Sequence, residues 1–179
     1  MDDGDDEEAR DKALWTAAEE GAELMSEGEH GRAIEELSRV VLVSPTNHYA
    51  LFFLGSALLE ERQSARALKA FLGALALKPD YPGALIGAGW ALHALGRYRE
   101  AIRVGRQVLD KRKEDPDALY LCGLCHYAMG DAAQSLSYLT RFVETRPEIE
   151  VALEADAIIK ILRGEAEFRK PDEADDQDD

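Results

Sequence analysis

The sequence predicts an all-α fold, a solenoid of four helical hairpins closed by one further helix. Three observations predict it. Gly21, Gly55, Gly89 and Gly123 lie 34 residues apart, and Ala33, Ala67, Ala101 and Ser135 follow each of them at a constant distance, which is the mark of a stacked repeat. Hydrophobic residues make up 46% of the chain, and Ala, Leu, Glu and Arg, all good helix formers, dominate. No sustained alternation of Val, Ile and Thr argues for a sheet.

In chain order, residues 1–11 come first. Asp2, Asp3, Asp5, Asp6, Glu7, Glu8 and Asp11 stand there against Arg10. Like charges so close repel one another and stay hydrated, so this stretch is expected to be a disordered acidic tail. The repeats follow over 12–149, as units 14–47, 48–81, 82–115 and 116–149. The glycine midway along each first helix lets a neighbouring helix approach, and the alanine or serine of the second helix serves the same contact. Gly28, Gly96 and Gly130 mark the turn between the two helices, where a left-handed residue ends the first; the second repeat has Arg62 instead. Pro45, Pro79 and Pro147 end the second helix, with Lys113 in that column of the third repeat. Asp115-Pro116 reads as an N-cap followed by proline at the first helical position.

Larger apolar residues fill the core at helical spacing, among them Leu51, Leu54, Leu58, Leu85 and Leu92 in first helices and Leu37, Phe71 and Leu139 in second helices. Gly105 interrupts the column of Leu37, Phe71 and Leu139. The third repeat is therefore either looser there or filled by a neighbour. Residues 150–168 are expected to form a capping helix, with an apolar stripe of Val151, Ala155, Ile158, Ile159 and Leu162 rotated from the usual core columns. Residues 169–179 are expected to be a second disordered acidic tail.

A small residue in the first helix, glycine at the turn, alanine in the second helix and proline at the exit resemble the tetratricopeptide-repeat family over residues 14–149. The resemblance implies a right-handed superhelix, no catalysis, and a concave surface lined by the first helices that binds a protein or peptide partner. Its inward columns, the second, fifth, ninth and twelfth of each repeat, carry over to a peptide-binding groove of Trp15, Met25, Tyr49, Phe52, Ser56, Leu59, Ile86, Trp90, His93, Tyr120, Leu124 and Tyr127. The same columns hold Ala18, Ala22, Gly83 and Asp117. Family members that clamp an acidic C-terminal peptide do so with Lys, Asn and Arg on these columns. Here Ala18, Ala22, Phe52 and Ser56 stand where the first of those would fall, so a partner segment with apolar anchors fits better.

Basic residues cluster in the third repeat, from Arg97 to Lys113, interleaved with Glu100 and Asp110 as in a solvated, ion-paired face. Cys122, Cys125 and His126 share a helix face, without the fourth ligand of a structural zinc site or the strand–helix context of a redox pair. No phosphate loop, nucleophile elbow or HExxH pattern is present, so no metal, cofactor or catalytic residue is expected. The net charge of −15 disfavours nucleic acid. No apolar run is long enough to insert in a membrane, and the acidic start is the reverse of a secretory leader, which points to a cytoplasmic location. The expected function is that of an adaptor or scaffold. The alternative is a dedicated chaperone for a secreted client, since size, groove and acidic ends are similar to the tetratricopeptide chaperones of type III secretion translocators. A second copy of the chain or its own C-terminal segment are further candidate occupants of the groove.

Overall fold

The structure is a computed structural model and describes residues 3–165. Nine α-helices and no strand are present among the described residues: α1 (Asp3–Ser26), α2 (His30–Val43), α3 (His48–Glu60), α4 (Ser64–Leu77), α5 (Pro82–Ala94), α6 (Tyr98–Lys111), α7 (Pro116–Ala128), α8 (Ala132–Glu144) and α9 (Ile149–Leu162). Each helix packs on the next in the chain, and α1, α3, α5 and α7 also touch one another in sequence order. The result is an all-α solenoid with α1, α3, α5 and α7 on one wall and α2, α4, α6 and α8 on the other.

The turns follow from residues that tolerate a left-handed backbone. Gly28, Gly96 and Gly130 have φ of 76°, 71° and 75°, and Arg62 takes the same place at 56°. Such a residue lets the chain reverse while the last carbonyls of the helix are still satisfied: Glu29 N donates to Leu24 O at 2.9 Å and Asp131 N to His126 O at 2.9 Å. Side-chain caps begin three helices. Asn47 Oδ1 accepts from Ala50 N at 3.0 Å, Asp115 Oδ1 from Ala118 N at 3.0 Å, and Asp131 Oδ1 from Gln134 N at 3.2 Å.

Asn47 does more than cap. It is fully buried, and its Nδ2 donates to Leu14 O of α1 at 2.8 Å, tying the first hairpin to the second. Asn47→Ala removes the cap and the side-chain bond to α1. It should destabilise the fold by about 2 kcal/mol, read as a lowered urea midpoint with unchanged slope.

The core is built by fitting large side chains onto glycines. A Cβ added at Gly21 would lie 2.4 Å from Leu37, one at Gly55 2.8 Å from the Phe71 ring, and one at Gly123 2.6 Å from Leu139. In the third hairpin the partner comes from elsewhere. A Cβ at Gly89 would meet Leu121 at 2.4 Å, and one at Gly105 would meet Cys122 Sγ at 2.6 Å. Both fillers belong to α7, so the gap left by Gly105 is closed by the next hairpin.

Two expectations are corrected. Residues 1–11 are not a disordered tail throughout, because α1 is helical from Asp3. Acidic residues at a helix N-terminus are favoured by the helix dipole, and Asp11 is engaged, accepting from Tyr49 Oη at 2.7 Å. The last helix is shorter than 150–168: α9 ends at Leu162, with Gly164 at φ 73°. Its buried residues, Ala155 and Ile159, face Leu119, Leu139 and Phe142. The rotated stripe is therefore the face that covers the preceding hairpin. The opposite face leaves Ile149 and Leu153 exposed. The tail expected at 169–179 and the end of the expected helix at 166–168 lie outside the described residues.

Candidate peptide-binding groove

The inward columns alternate with buried ones on the same helices. On α3, Phe52 and Ser56 are half-exposed while Ala50 and Ala57 are fully buried. On α5, Ile86 and Trp90 are half-exposed between Ala84, Ala88 and Ala91. Helical spacing thus turns one side of each odd-numbered helix to its neighbours and the other to the open wall. Of the twelve residues expected in the groove none is fully buried. Trp15 is the most open, at 41%, and the other eleven are intermediate.

The structure brings five of them together. Phe52, Ser56 and Leu59 of α3 face Ile86 and Trp90 of α5 around a concavity of about 400 Å³. Gly83 and Gly87 form part of its floor. A Cβ at Gly83 would lie 2.9 Å from the Phe52 ring, so glycine there lets the ring lie over the start of α5. Phe52 and Trp90 each turn one side to the core, which fixes their orientation without a ligand.

The other seven stand outside that concavity. Trp15 and Tyr49 meet edge to face at 5.3 Å between ring centroids. Tyr49 is committed to the hydrogen bond with Asp11, which together with burial pushes its hydroxyl up to about 12. Met25 packs against the core of the first two hairpins. His93 lies against Trp90 and Tyr98, at 5.7 and 5.4 Å, and burial lowers its pKa, favouring the neutral ring. Tyr120 continues the aromatic row, 5.9 Å from Trp90 and stacked on Phe142 at 4.7 Å. Burial and the facing Glu154 of α9 hold its hydroxyl well above the usual range. Leu124 and Tyr127 lie further along the inward columns of α7, half-exposed.

Sequence reasoning missed two charged contributors to the concavity, Glu60 and Arg112, along with Phe71, Pro82 and Gly87. Glu60 follows the last inward residue of α3. Arg112 arrives from the α6–α7 connection, and no periodic signal marks it. A second apolar concavity, about 510 Å³, was also unforeseen. It lies between α2 and α4 and is lined by Val41, Leu51, Leu54, Leu58 and Leu77.

The remaining chemistry is structural. Cys122 and Cys125 are buried and unbridged, and burial pushes their thiols up to about 11 and about 12, far from the thiolate range that reactivity needs. His126 Nδ1 is 3.1 Å from Asp131 Oδ2. Among the described residues no group of three or more His, Cys, Asp and Glu could hold a metal ion, and no helix is long and apolar enough to cross a membrane. The basic cluster is largely ion-paired: Arg97 and Arg103 reach Glu100 at 2.7 and 3.6 Å, Arg112 reaches Asp115 at 2.9 Å, and Lys111 pairs with Asp80.

Two family models, both described as tetratricopeptide repeat, match residues 19–82 and 92–156. A comparison with curated proteins gives no match. Among solved structures, MamA (residues 41 to the end) from Desulfovibrio magneticus RS-1 superposes with a TM-score of 0.66 at 17% identity, over 87% of this chain and 97% of that one. A thermophilic tetratricopeptide-repeat protein of Thermus thermophilus, TTC0263, gives 0.68 at 18%, over 85% and 82%. The second domain of human RPAP3, solved in complex with the HSP70 peptide SGPTIEEVD, gives 0.59 at 22%, over 64% and 97%.

Proposed function

Since the chain belongs to the tetratricopeptide-repeat family, we propose that it is a non-enzymatic binding module that holds a segment of a partner protein by apolar anchors in the concavity between α3 and α5. The observation that carries this reading is the half-exposure of Phe52, Ile86 and Trp90 around that concavity, on helices whose other faces are closed. A contiguous apolar surface of this kind is the usual mark of an interaction site. Each apolar side chain placed there would contribute about 1.5–3 kcal/mol before the cost of ordering the segment. The peptide of the RPAP3 complex is acidic at its end. This chain has no Lys or Arg on the inward columns of its four hairpins, so a different ligand chemistry is expected.

The test uses a phage-displayed library of random peptides, roughly 12 residues long, enough to span the groove as an extended or helical segment. The selected peptides should share spaced apolar residues. Two opposite steric changes should each weaken them by about tenfold or more: Trp90→Ala, which removes an anchor wall, and Ser56→Trp, which fills the concavity. Circular dichroism of both variants should stay that of the parent. Selected peptides indifferent to both changes, or no selected peptides at all, would overturn the groove reading.

A further inference from the structure

Two carboxylates stand at the rim of the concavity. Glu60 closes it from the end of α3 and Asp117 from the first turn of α7. Neither forms an ion pair among the described residues. Arg112 also lines the space, but its Nη2 is 2.9 Å from Asp115 Oδ2, and Asp115 is buried, so that guanidinium is already engaged. His93, next along α5 from Trp90, favours the neutral form. The concavity therefore combines aromatic rings, aliphatic walls and a rim of two carboxylates against one guanidinium, which is shared with Asp115.

From this charge pattern we propose that the concavity is a subsite for one lysine or arginine side chain of the partner segment, its stem against Phe52, Ile86 and Trp90 and its cationic end at Glu60 and Asp117. The inference rests on the groove reading above and adds the charge of the occupant.

Three physical features favour it. A long basic side chain buries its methylene stem on apolar walls and keeps its charge at the rim. An indole face attracts a cation, and more strongly where water is reduced. Desolvation and the nearby Asp115 raise the Asp117 carboxyl above its usual range, with Arg112 opposing them in part. A bound cation would relieve that cost, whereas an acidic side chain would add to it. The volume of about 400 Å³ leaves room for such a side chain together with an apolar neighbour.

The experiment takes the tightest Lys- or Arg-containing peptide from the random library and a synthetic copy in which norleucine replaces the basic residue. Both are titrated against the parent chain and against Glu60→Gln/Asp117→Asn. The basic peptide should weaken by about tenfold on the double variant while the norleucine copy is unchanged, the coupling expected of a close charge pair. The basic peptide alone should also weaken with added salt. If the selected peptides carry no basic residue, or if both peptides respond alike to the double variant, the cationic subsite is wrong while the groove stands. If the peptides are indifferent to Trp90→Ala and Ser56→Trp, the groove itself is wrong and the subsite falls with it.

Discussion

Phe71→Ala should lower the unfolding free energy by about 3–5 kcal/mol, the range for truncating a fully buried aromatic ring in a core that collapses incompletely. Phe71 is 1% exposed. Its ring lies where a Cβ at Gly55 would be 2.8 Å away and a Cβ at Gly87 2.4 Å away, wedged between α3 of its own hairpin and α5 of the next. The backbone of two helices has closed around one side chain, and neither glycine can grow to fill the space it leaves. The loss therefore falls on the contact between the second and third hairpins as well as on the second. Chemical denaturation followed by far-ultraviolet circular dichroism measures it. A shift of under about 1 kcal/mol, within the range of ordinary surface substitutions, would mean that the ring is not the wedge described.

Ending the chain after Glu148 should be comparably severe. It removes α9, whose Ala155 and Ile159 are buried against Leu119, Leu139 and Phe142, with Val151 and Ile158 packed around them. Burying Val151, Ile158 and Ile159, each in part, stabilises the fold by about 3–6 kcal/mol in total, and the truncation would also open one wall of the fourth hairpin to water. Amide hydrogen exchange should then show α7 and α8 losing protection while α3 and α4 keep theirs. The shortened chain should self-associate through the uncovered surface. Uniform protection throughout would show that the fourth hairpin needs no cap.

Most of this architecture could be read from the amino acids, because its cause is periodic. Gly21, Gly55, Gly89 and Gly123 recur since each hairpin must bring its helices equally close, and Asp115-Pro116 announces a helix start by local chemistry alone. What could not be read depends on contacts between units. The acidic residues 3–11 read as a solvated run because their charges repel. The helix forms nonetheless, and Asp11 finds Tyr49, thirty-eight residues away. Gly105 left two readings open, a looser repeat or a filling neighbour, because the columns compare equivalent positions, whereas its filler, Cys122, comes from another column of the following hairpin. The groove was legible in part for the same reason. Phe52, Ser56, Leu59, Ile86 and Trp90 sit on inward columns, but Arg112 enters from a connection, and Tyr49 sits on an inward column yet is spoken for by α1.

The third hairpin supplies sockets and no plug. Gly87 receives Phe71 from the unit before, and Gly89 and Gly105 receive Leu121 and Cys122 from the unit after. In a stacked array stability is the sum of what each unit has alone and what it gains from its neighbours; here the third unit's glycines draw the second kind of term from both sides. Severing the array on either side of it should weaken the centre, so melting is expected to be cooperative across the middle of the molecule instead of proceeding hairpin by hairpin. A visitor lying across α3 and α5 consequently meets a surface that is either whole or gone, and by gripping both helices it would tighten the same joint that holds the array together.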